Sequence, residues 1–206
     1  MKTLYFIRHA QSEANLQNIL ASRQDFPLSA QGKQDADSIT AEFKNIAKLD
    51  RVICSPLLRA QQTAQPIANA FGLQVETDDR IIEQELGIYA GLSYADLDDC
   101  PNYMHDRTQR WQWIPEGGGE SYEMITQRLT PFFEALETSV ESSILCVTHA
   151  VTMRMIKAIL EQTLPAYPSA IAKNGEIWKV KFTKTGNAHS FESIFLAGCD
   201  DANSRA

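Results

Sequence analysis

The chain has 206 residues, of which 44% are hydrophobic and 22% are charged; this fits one α/β domain over residues 1–206 and argues against intrinsic disorder. The formal net charge of −7 argues against a nucleic-acid partner, because binding to a phosphate backbone needs an extended basic surface. The N-terminal apolar run stops at Ile7, too short for a signal-peptide core or a membrane span, so we expect a cytoplasmic protein without membrane contact.

The first half of the chain alternates strand and helix signals. An apolar run over Thr3–Ile7 predicts a buried strand that ends directly before Arg8 and His9. Ser29 is an N-cap candidate for the next helix, whose apolar residues recur at helical spacing at Ala36, Ile39, Phe43 and Ile46.

The run Arg51–Cys54 predicts a second strand. Ser55 is expected to cap the following helix, with Pro56 at its first position, where a missing N–H is harmless. This start places Arg59 one turn inside the helix, with a side chain that reaches back over the strand ends. Pro66 lies within the same helical pattern and is expected to kink or split the helix.

The second half continues the alternation and ends in a hairpin. Predicted strands cover Leu73–Glu76 and Ile144–Thr148, and His149 begins a helix after the latter. A helical pattern from Ser121 to Val140 contains Pro131, which is also expected to kink or split its helix. Two alternating segments predict the hairpin, Glu176–Phe182 and Ser190–Phe195. The alternation predicts an α/β fold with a mostly parallel sheet and helices on both faces.

Residues 92–118 differ in composition from the rest of the chain. They are acidic first, then aromatic and basic, and a glycine run follows at 117–119. We expect a short cap insertion over the strand ends, with the glycines as a hinge. A surface insertion in which Trp111 and Trp113 only pack on the core is the alternative. The glycine run lacks the Gly-Lys-Ser/Thr of a nucleotide-binding P-loop.

Four side chains at predicted strand ends suit phosphoryl transfer. His9 is the candidate nucleophile, because a histidine with an ordinary pKa of about 6.5 is largely neutral at pH 7 and can attack phosphorus. Arg8 and Arg59 can present forked donors to a phosphoryl group. His149, at a strand-to-helix junction, can add a donor beside helix amides. Carboxyl ends of parallel strands share one edge of the sheet, so we expect these side chains in one pocket.

This chemistry also requires a proton for the leaving alkoxide. Glu83 is the candidate general acid, which would then act as the base that activates water to cleave phosphohistidine. Glu85 and Asp79 are nearby alternatives. Each of these residues alone would more often have a structural role, so the hypothesis depends on their conjunction.

Four segments together resemble the histidine phosphatase superfamily, also called phosphoglycerate mutase-like. They are Arg8-His9-Ala10-Gln11-Ser12-Glu13-Ala14-Asn15, Ser55-Pro56-Leu57-Leu58-Arg59-Ala60, Glu83 followed by Gly87, and Val147-Thr148-His149-Ala150. The resemblance covers roughly Met1 to Leu160 and implies a three-layer α/β/α sandwich with the catalytic pocket at the carboxyl edge of the sheet. It also favours Glu83 over its neighbours, since the acid of the family stands at this distance before a glycine.

The resemblance implies further ligand-contacting residues. Asn15 matches a position that contacts phosphate, and Ser22 and Arg23 lie where the family lines the substrate entrance. Ala10 and Ala150 stand where the family usually has glycine, and their small side chains still allow phosphate to approach; Ala150 is therefore retained as a binding residue.

Two further segments bear on the substrate. The common Trp-Glu-Gly after the acid is here Tyr89-Ala90-Gly91, which leaves substrate preference open. Glu120 is expected at the pocket edge. Arg107 and Arg110, three residues apart, are candidates to bind a substrate carboxylate or a second phosphate.

We expect a phosphatase that hydrolyses a small phosphorylated metabolite through phosphohistidine. The first alternative is phosphoglycerate mutase-type transfer, to which a longer cap and an adjacent arginine pair would be suited. The second is a non-catalytic phospholigand-binding module, because fold alone does not establish turnover. No cofactor and no metal are expected, since neither HExxH nor a Cys/His ligand cluster is present. The oligomeric state cannot be read from the sequence.

Overall fold

The computed structural model describes residues 1–194, and within them one sheet is formed by six strands. These are β1 (Lys2–Arg8), β2 (Arg51–Cys54), β3 (Val75–Thr77), β4 (Ser143–Thr148), β5 (Ile177–Phe182) and β6 (Phe191–Ile194). Their order is β3-β2-β4-β1-β5-β6. The first four strands are mutually parallel, whereas β5 pairs antiparallel with β1 and β6 pairs antiparallel with β5.

The described residues also contain five α-helices. They are α1 (Glu13–Leu16), α2 (Ala30–Ile46), α3 (Leu58–Phe71), α4 (Tyr122–Thr138) and α5 (Ala150–Glu161). Ser29 caps α2 as predicted, its hydroxyl accepting from the Gly32 amide. A Cβ on Gly32 would lie 1.9 Å from the carbonyl oxygen of Gln11. Only a glycine therefore lets α2 approach the loop that follows β1.

The helices cover both faces of the sheet and enclose two cores. Alternate residues of each strand point to opposite faces, so that Leu4 and Phe6 of β1 join a core with α4 and α5. Tyr5 and Ile7 of the same strand join a core with α2 and α3. This arrangement confirms the predicted three-layer α/β/α sandwich with its mostly parallel sheet.

Several local predictions need correction. α3 begins at Leu58 after an N-cap at Leu57, not at Pro56 after Ser55; the Ser55 hydroxyl is instead 2.7 Å from the His149 ring. Arg59 is consequently the second residue of the helix. Neither Pro66 nor Pro131 splits its helix, as α3 and α4 each run through the proline.

Element ends also shift by a few residues. β3 lies at Val75–Thr77 rather than Leu73–Glu76, and α4 ends before Val140. Ile46, at the end of α2, is exposed rather than part of the core. The predicted last residue of the hairpin, Phe195, lies outside the described residues, as does the rest of 195–206.

Residues 92–118 contain two 3₁₀ turns, Asp96–Asp99 and Arg107–Gln109. Leu97 and Tyr103 of this segment form a small cluster with Leu86 and Tyr89, against which Trp113 packs. Trp111 packs instead on the core of α4 and α5. No helix within residues 1–194 is both long and apolar enough to cross a membrane.

Candidate active site

A cavity of about 80 Å³ opens at the carboxyl ends of β1 and β4. Arg8 is the last residue of β1 and pairs in register with Thr148, the last residue of β4. His9 and His149 therefore follow two adjacent strands, and their ring centroids are 5.1 Å apart. This juxtaposition follows directly from the parallel pairing.

The His9 ring is held in one tautomer. Its Nδ1 is 2.7 Å from the Ala10 carbonyl oxygen. Because a carbonyl can only accept, Nδ1 carries the proton and donates it to Ala10. Nε2 thus keeps an unprotonated lone pair, as a nucleophile requires.

The surroundings also keep His9 neutral. Burial lowers the pKa of His9 well below its ordinary value, and the charges of Arg59 and Arg8 lower it further. The same reasoning holds for His149, whose pKa is lowered first by burial and then by Arg59. Both imidazoles are therefore uncharged at neutral pH.

His149 is fully buried at the N-cap of α5. Its Nε2 lies 2.7 Å from the Ser55 hydroxyl, and that hydroxyl accepts from the Leu57 amide at 3.3 Å. Among the described residues, Nδ1 of His149 has no hydrogen-bond partner. A buried polar atom without a partner is costly. His149 does not itself line the cavity, but its ring centroid lies 5.1 Å from that of His9, which does.

Arg8 and Arg59 are buried arginines that are oriented by backbone carbonyls. Arg8 donates to the carbonyl of Ala172 at 2.8 Å. Arg59 donates to the carbonyls of Ser22 at 2.6 Å and Gln24 at 2.8 Å. Burial lowers the pKa of Arg59 to about 10, so the side chain stays charged at pH 7. Both therefore carry charge into the cavity while their orientation is fixed.

Glu83 lines the cavity, but Glu85 and Asp79 do not. Its Oε1 accepts from the Gln84 amide at 2.9 Å and from the Thr152 amide at 3.3 Å. Its Oε2 accepts from the Val151 amide at 3.3 Å. The carboxylate thus lies at the N-terminus of α5, where unpaired amides and the helix dipole favour negative charge.

The turn after Glu83 depends on a glycine. Gly87 has φ +55°, and a Cβ there would lie 1.8 Å from the Glu116 carbonyl oxygen. That carbonyl accepts from the Ile88 amide at 2.9 Å. Close backbone contact of this kind joins the loop of Glu83 to the end of the segment 92–118.

The predicted binding residues separate into two groups. Asn15, Ser22 and Ala150 line the cavity, whereas Arg23 does not. The Arg23 Nε donates to the Glu83 carbonyl at 2.9 Å, and its Nη2 pairs with Glu120 at 3.0 Å. Arg23 therefore contacts the backbone of the loop that carries Glu83, here called the acid loop, rather than the cavity.

Glu120, predicted at the pocket edge, also lies outside the cavity lining. Its carboxylate pairs with Arg128 at 2.8 Å as well as with Arg23. Its carbonyl accepts from the Gln84 side chain at 2.7 Å. Glu120 thus holds Gln84 directly and holds the Glu83 backbone through Arg23.

Arg107 and Arg110 do line the cavity. Arg110 is buried; its Nε donates to the Met104 carbonyl at 2.8 Å, and its guanidinium lies 4.9 Å from the Tyr103 ring centroid. Two further lining residues, Arg154 and Tyr122, were not predicted. The only signal for Arg154 was a charge between two methionines in the helix that follows His149.

The cavity is rich in positive charge and not in metal ligands. Its charged lining consists of five arginines and one glutamate: Arg8, Arg59, Arg107, Arg110, Arg154 and Glu83. Within residues 1–194, no group of three or more His, Cys, Asp or Glu side chains is placed to hold a metal ion. This donor set suits an anionic ligand.

Comparison with known proteins gives a family match. Residues 4–191 match the sequence model of the histidine phosphatase superfamily (branch 1). Phosphoserine phosphatase 1 from Hydrogenobacter thermophilus is 32% identical over 165 residues, which cover 78% of this chain and 76% of that protein. A 2,3-bisphosphoglycerate-dependent phosphoglycerate mutase from Brucella melitensis is 29% identical, with 80% and 84% covered.

The fold is also similar to solved structures. A mycobacterial glucosyl-3-phosphoglycerate phosphatase superposes with a TM-score of 0.80 over 95% of this chain and 99% of that one, at 22% identity. Similarity at this identity supports the same fold.

Proposed function

The chain belongs to the histidine phosphatase superfamily, and we propose that it hydrolyses small phosphomonoesters through a phosphohistidine on His9. The observation that carries the proposal is the hydrogen bond from His9 Nδ1 to the Ala10 carbonyl, which leaves Nε2 as a lone-pair donor. Nε2 attacks phosphorus as the bond between phosphorus and the ester oxygen breaks. Passing through a covalent intermediate divides a very large barrier into two smaller ones.

Charge on the transferring phosphoryl group would be held by Arg8, Arg59 and His149. The two guanidiniums supply donors that are already oriented, so little reorganisation is needed during the reaction. We assign the Ser55 hydroxyl as the donor to His149 Nε2, 2.7 Å away, while the same hydroxyl accepts from the Leu57 amide. The neutral His149 ring then carries a proton on Nδ1, which can donate to a phosphoryl oxygen.

Glu83 would supply the proton for the leaving alkoxide and then remove one from the attacking water. Water attacks phosphorus, the bond between phosphorus and Nε2 breaks, and inorganic phosphate leaves with His9 restored. Of the three carboxylates that were candidates for this role, Glu83 is the one in the lining of the cavity. A general acid must first lie within reach of the leaving oxygen, and only then does its pKa matter.

A small substrate fits the enclosure of the site. Tyr94, Tyr103, Arg107 and Arg110 from the segment 92–118 close one side of the cavity. We therefore propose that residues 92–118 act as a cap within a single domain. A small cavity of this kind favours a small ligand.

The experiment compares wild type and His9→Ala on p-nitrophenyl phosphate in the presence of EDTA. Wild type should release p-nitrophenol and, after alkaline quench during turnover, carry an acid-labile, alkali-stable phosphoryl group on the peptide that contains His9. His9→Ala should lose both. His105→Gln, a change at an exposed histidine, is the control and should retain both. Full activity of His9→Ala, or no activity of wild type on a broad panel of phosphoesters, contradicts the proposal.

Phosphoglycerate mutase activity is the second candidate, supported by the similarity to the Brucella enzyme. It needs phosphohistidine to be protected from water. Isomerisation of phosphoglycerate at a rate far above phosphate release would establish it in place of hydrolysis.

A further inference from the structure

We propose that Thr63 and Asn174 are positioning residues for the nucleophile: from opposite edges they hold the peptide group between His9 and Ala10, and thereby fix the tautomer of His9. This inference rests on the proposed phosphatase function and deepens it. Neither Thr63 nor Asn174 belongs to the lining of the cavity, whereas His9 does. Both side chains therefore act through His9 and not on the substrate.

The peptide group between His9 and Ala10 is held on both of its edges. A peptide group is a rigid plane whose carbonyl and amide point in opposite directions. The His9 carbonyl accepts from Asn174 Nδ2 at 2.9 Å, and the Ala10 amide donates to Thr63 Oγ1 at 3.1 Å. This plane lies between the His9 ring and the Ala10 carbonyl that accepts from Nδ1. Its orientation decides whether Nδ1 reaches that carbonyl.

Thr63 connects the peptide group to the helix that carries Arg59. Its side chain lies on α3 and is fully buried, as is Ala10. The single hydroxyl proton goes to the Arg59 carbonyl at 2.8 Å, so the hydroxyl accepts from the Ala10 amide with a lone pair. Without this hydroxyl the Ala10 amide would be buried and unpaired, which is costly.

Asn174 reaches His9 from the loop before β5. The backbone of this loop is itself bound to Arg8, because the Ala172 carbonyl accepts from Arg8 Nη1 at 2.8 Å. The Gly175 amide donates to the Arg8 carbonyl at 2.9 Å. Asn174 is thus held against the end of β1 by residues on both sides of it. A side chain fixed in this way can set the position of the next residue, His9.

The acceptors around Asn174 identify its donor side. Nδ2 faces the His9 carbonyl oxygen and also Asn15 Oδ1, at 3.2 Å. Asn15 Oδ1 is an oxygen because it accepts from the Ser12 amide at 3.0 Å. A group that faces two acceptors must donate. Leucine has no donor at this place, so Asn174→Leu removes both bonds.

The first test determines the tautomer of His9 without any substrate. Side-chain ¹⁵N chemical shifts at pH 8 distinguish a protonated ring nitrogen from a bare one, and His9→Ala identifies the His9 signals by their loss. Wild type should show a protonated Nδ1 and a bare Nε2. Thr63→Val and Asn174→Leu should both show a mixture in which Nε2 carries part of the proton. Thr63→Ser restores the hydroxyl and should restore the wild-type pattern.

The second test separates catalysis from binding. In single turnover on p-nitrophenyl phosphate, Thr63→Val and Asn174→Leu should form phosphohistidine about 10- to 100-fold more slowly, the usual effect of a misplaced nucleophile. The Kd of orthophosphate should change less than about threefold, because Arg8 and Arg59 keep their carbonyl partners. Thr63→Ser should recover most of the rate.

Two control variants make the same chemical changes elsewhere. Thr40→Val removes a hydroxyl of α2 that donates to the Ala36 carbonyl at 2.8 Å, as Thr63 donates within α3. Asn187→Leu removes an exposed side-chain donor to Thr183. Both controls should keep the wild-type tautomer and the wild-type rate of phosphoenzyme formation.

The outcomes distinguish this inference from the proposed function. If wild type has a protonated Nδ1 and both variants keep that tautomer, the positioning role is refuted and the phosphatase function stands. An unchanged tautomer in only one folded variant refutes the role of that residue. If wild type itself has a bare Nδ1 on His9, or hydrolyses no phosphoester, the proposed function fails. If Thr63→Val does not fold, Asn174→Leu, at a half-buried side chain, decides the question.

Discussion

At the scale of single residues, backbone carbonyls orient the polar side chains of the site. Each side chain keeps further donors or lone pairs for a ligand. The Ala10 carbonyl fixes the His9 tautomer, and carbonyls of Ser22 and Gln24 orient Arg59. Carbonyl partners hold a side chain in place without neutralising it. The positive charge therefore remains available to a phosphoryl group, which would not be so if carboxylates held the arginines.

Glu83→Gln should slow alkyl phosphates by about 10²- to 10⁴-fold, the usual contribution of general acid catalysis. Phosphates with a good leaving group, such as p-nitrophenyl phosphate, need little protonation and should lose much less in the bond-breaking step. The measurement is the rate of phosphoenzyme formation in a single turnover for both substrates. Asp79→Asn, at an exposed carboxylate, serves as control. Equal losses for the two substrates would remove Glu83 from this role.

Residue identities were predicted from the sequence better than their contacts. Chemical reasoning about strand ends selected His9, Arg8, Arg59 and His149, and the family resemblance selected Glu83. The structure places Arg8, His9, Arg59 and Glu83 in the lining of one cavity, and the ring centroid of His149 lies 5.1 Å from that of His9. Arg23 was expected at the substrate entrance but pairs with Glu120, because ion pairs between distant segments leave no trace in a single sequence. Arg154, which lines the cavity, was missed because a charged side chain within a helical pattern is usually exposed.

At the scale of elements, loops after parallel strands supply the chemistry and ion pairs behind them supply rigidity. The acid loop is held on one side by the amides of α5 and on the other by Arg23, Glu120 and Arg128.

Ser55 was predicted as a helix cap from its place before Pro56. Its hydroxyl bonds to His149 instead, since a tertiary contact with a buried ring outweighs a local capping preference.

Glu120→Gln should lower kcat and destabilise the protein. It removes the charge that pairs with two arginines at a carboxylate whose side chain is 10% exposed, and breaking a buried pair costs about 3–5 kcal/mol. Urea unfolding and steady-state kinetics measure the two effects. Glu76→Gln breaks a pair at a side chain that is 52% exposed and should cost at most about 1 kcal/mol. Similar losses in both variants would argue against a special role for Glu120.

Gly87→Ala should reduce activity and lower the melting temperature. The new Cβ would meet the Glu116 carbonyl, and the left-handed backbone adds roughly 1–2 kcal/mol. Gly72→Ala separates the two causes, because Gly72 has φ +68° with nothing within 4 Å of the added Cβ. Gly72→Ala should lose stability but retain full kcat. If Gly87→Ala behaves in the same way, the turn does not position the acid.

At the scale of the whole molecule, charge is distributed unevenly. The chain carries a net charge of −7, whereas five arginines and one glutamate line the cavity. The layered fold was predictable, because strand and helix periodicities alternate along the chain and parallel strands require crossover helices. The positive charge of the cavity was largely predictable too, because four of its five arginines, Arg8, Arg59, Arg107 and Arg110, were predicted from the sequence as site residues.

Stability should fall with acid because of two buried histidines, His9 and His149. The folded-state pKa values of His9 and His149 lie well below the ordinary value, so below a pH of about 6.5 the unfolded chain binds more protons than the folded one. Each histidine should then reduce the free energy of unfolding by up to about 1.4 kcal/mol per pH unit as the pH falls from 6.5.

Urea unfolding between pH 5 and pH 8 tests this slope. In His149→Gln the slope should be smaller, since one titrating group is removed. His105→Gln removes an exposed histidine and should leave the slope unchanged. A wild-type stability that stays constant over the whole range would mean that the two rings are protonated in the folded state.

The carbonyl-held arginines have a consequence for turnover. A cavity that keeps its guanidiniums unneutralised in the resting state attracts released orthophosphate by the same contacts that attract the ester. Orthophosphate should therefore inhibit the enzyme strongly as a product, and the rate should fall before the substrate is exhausted.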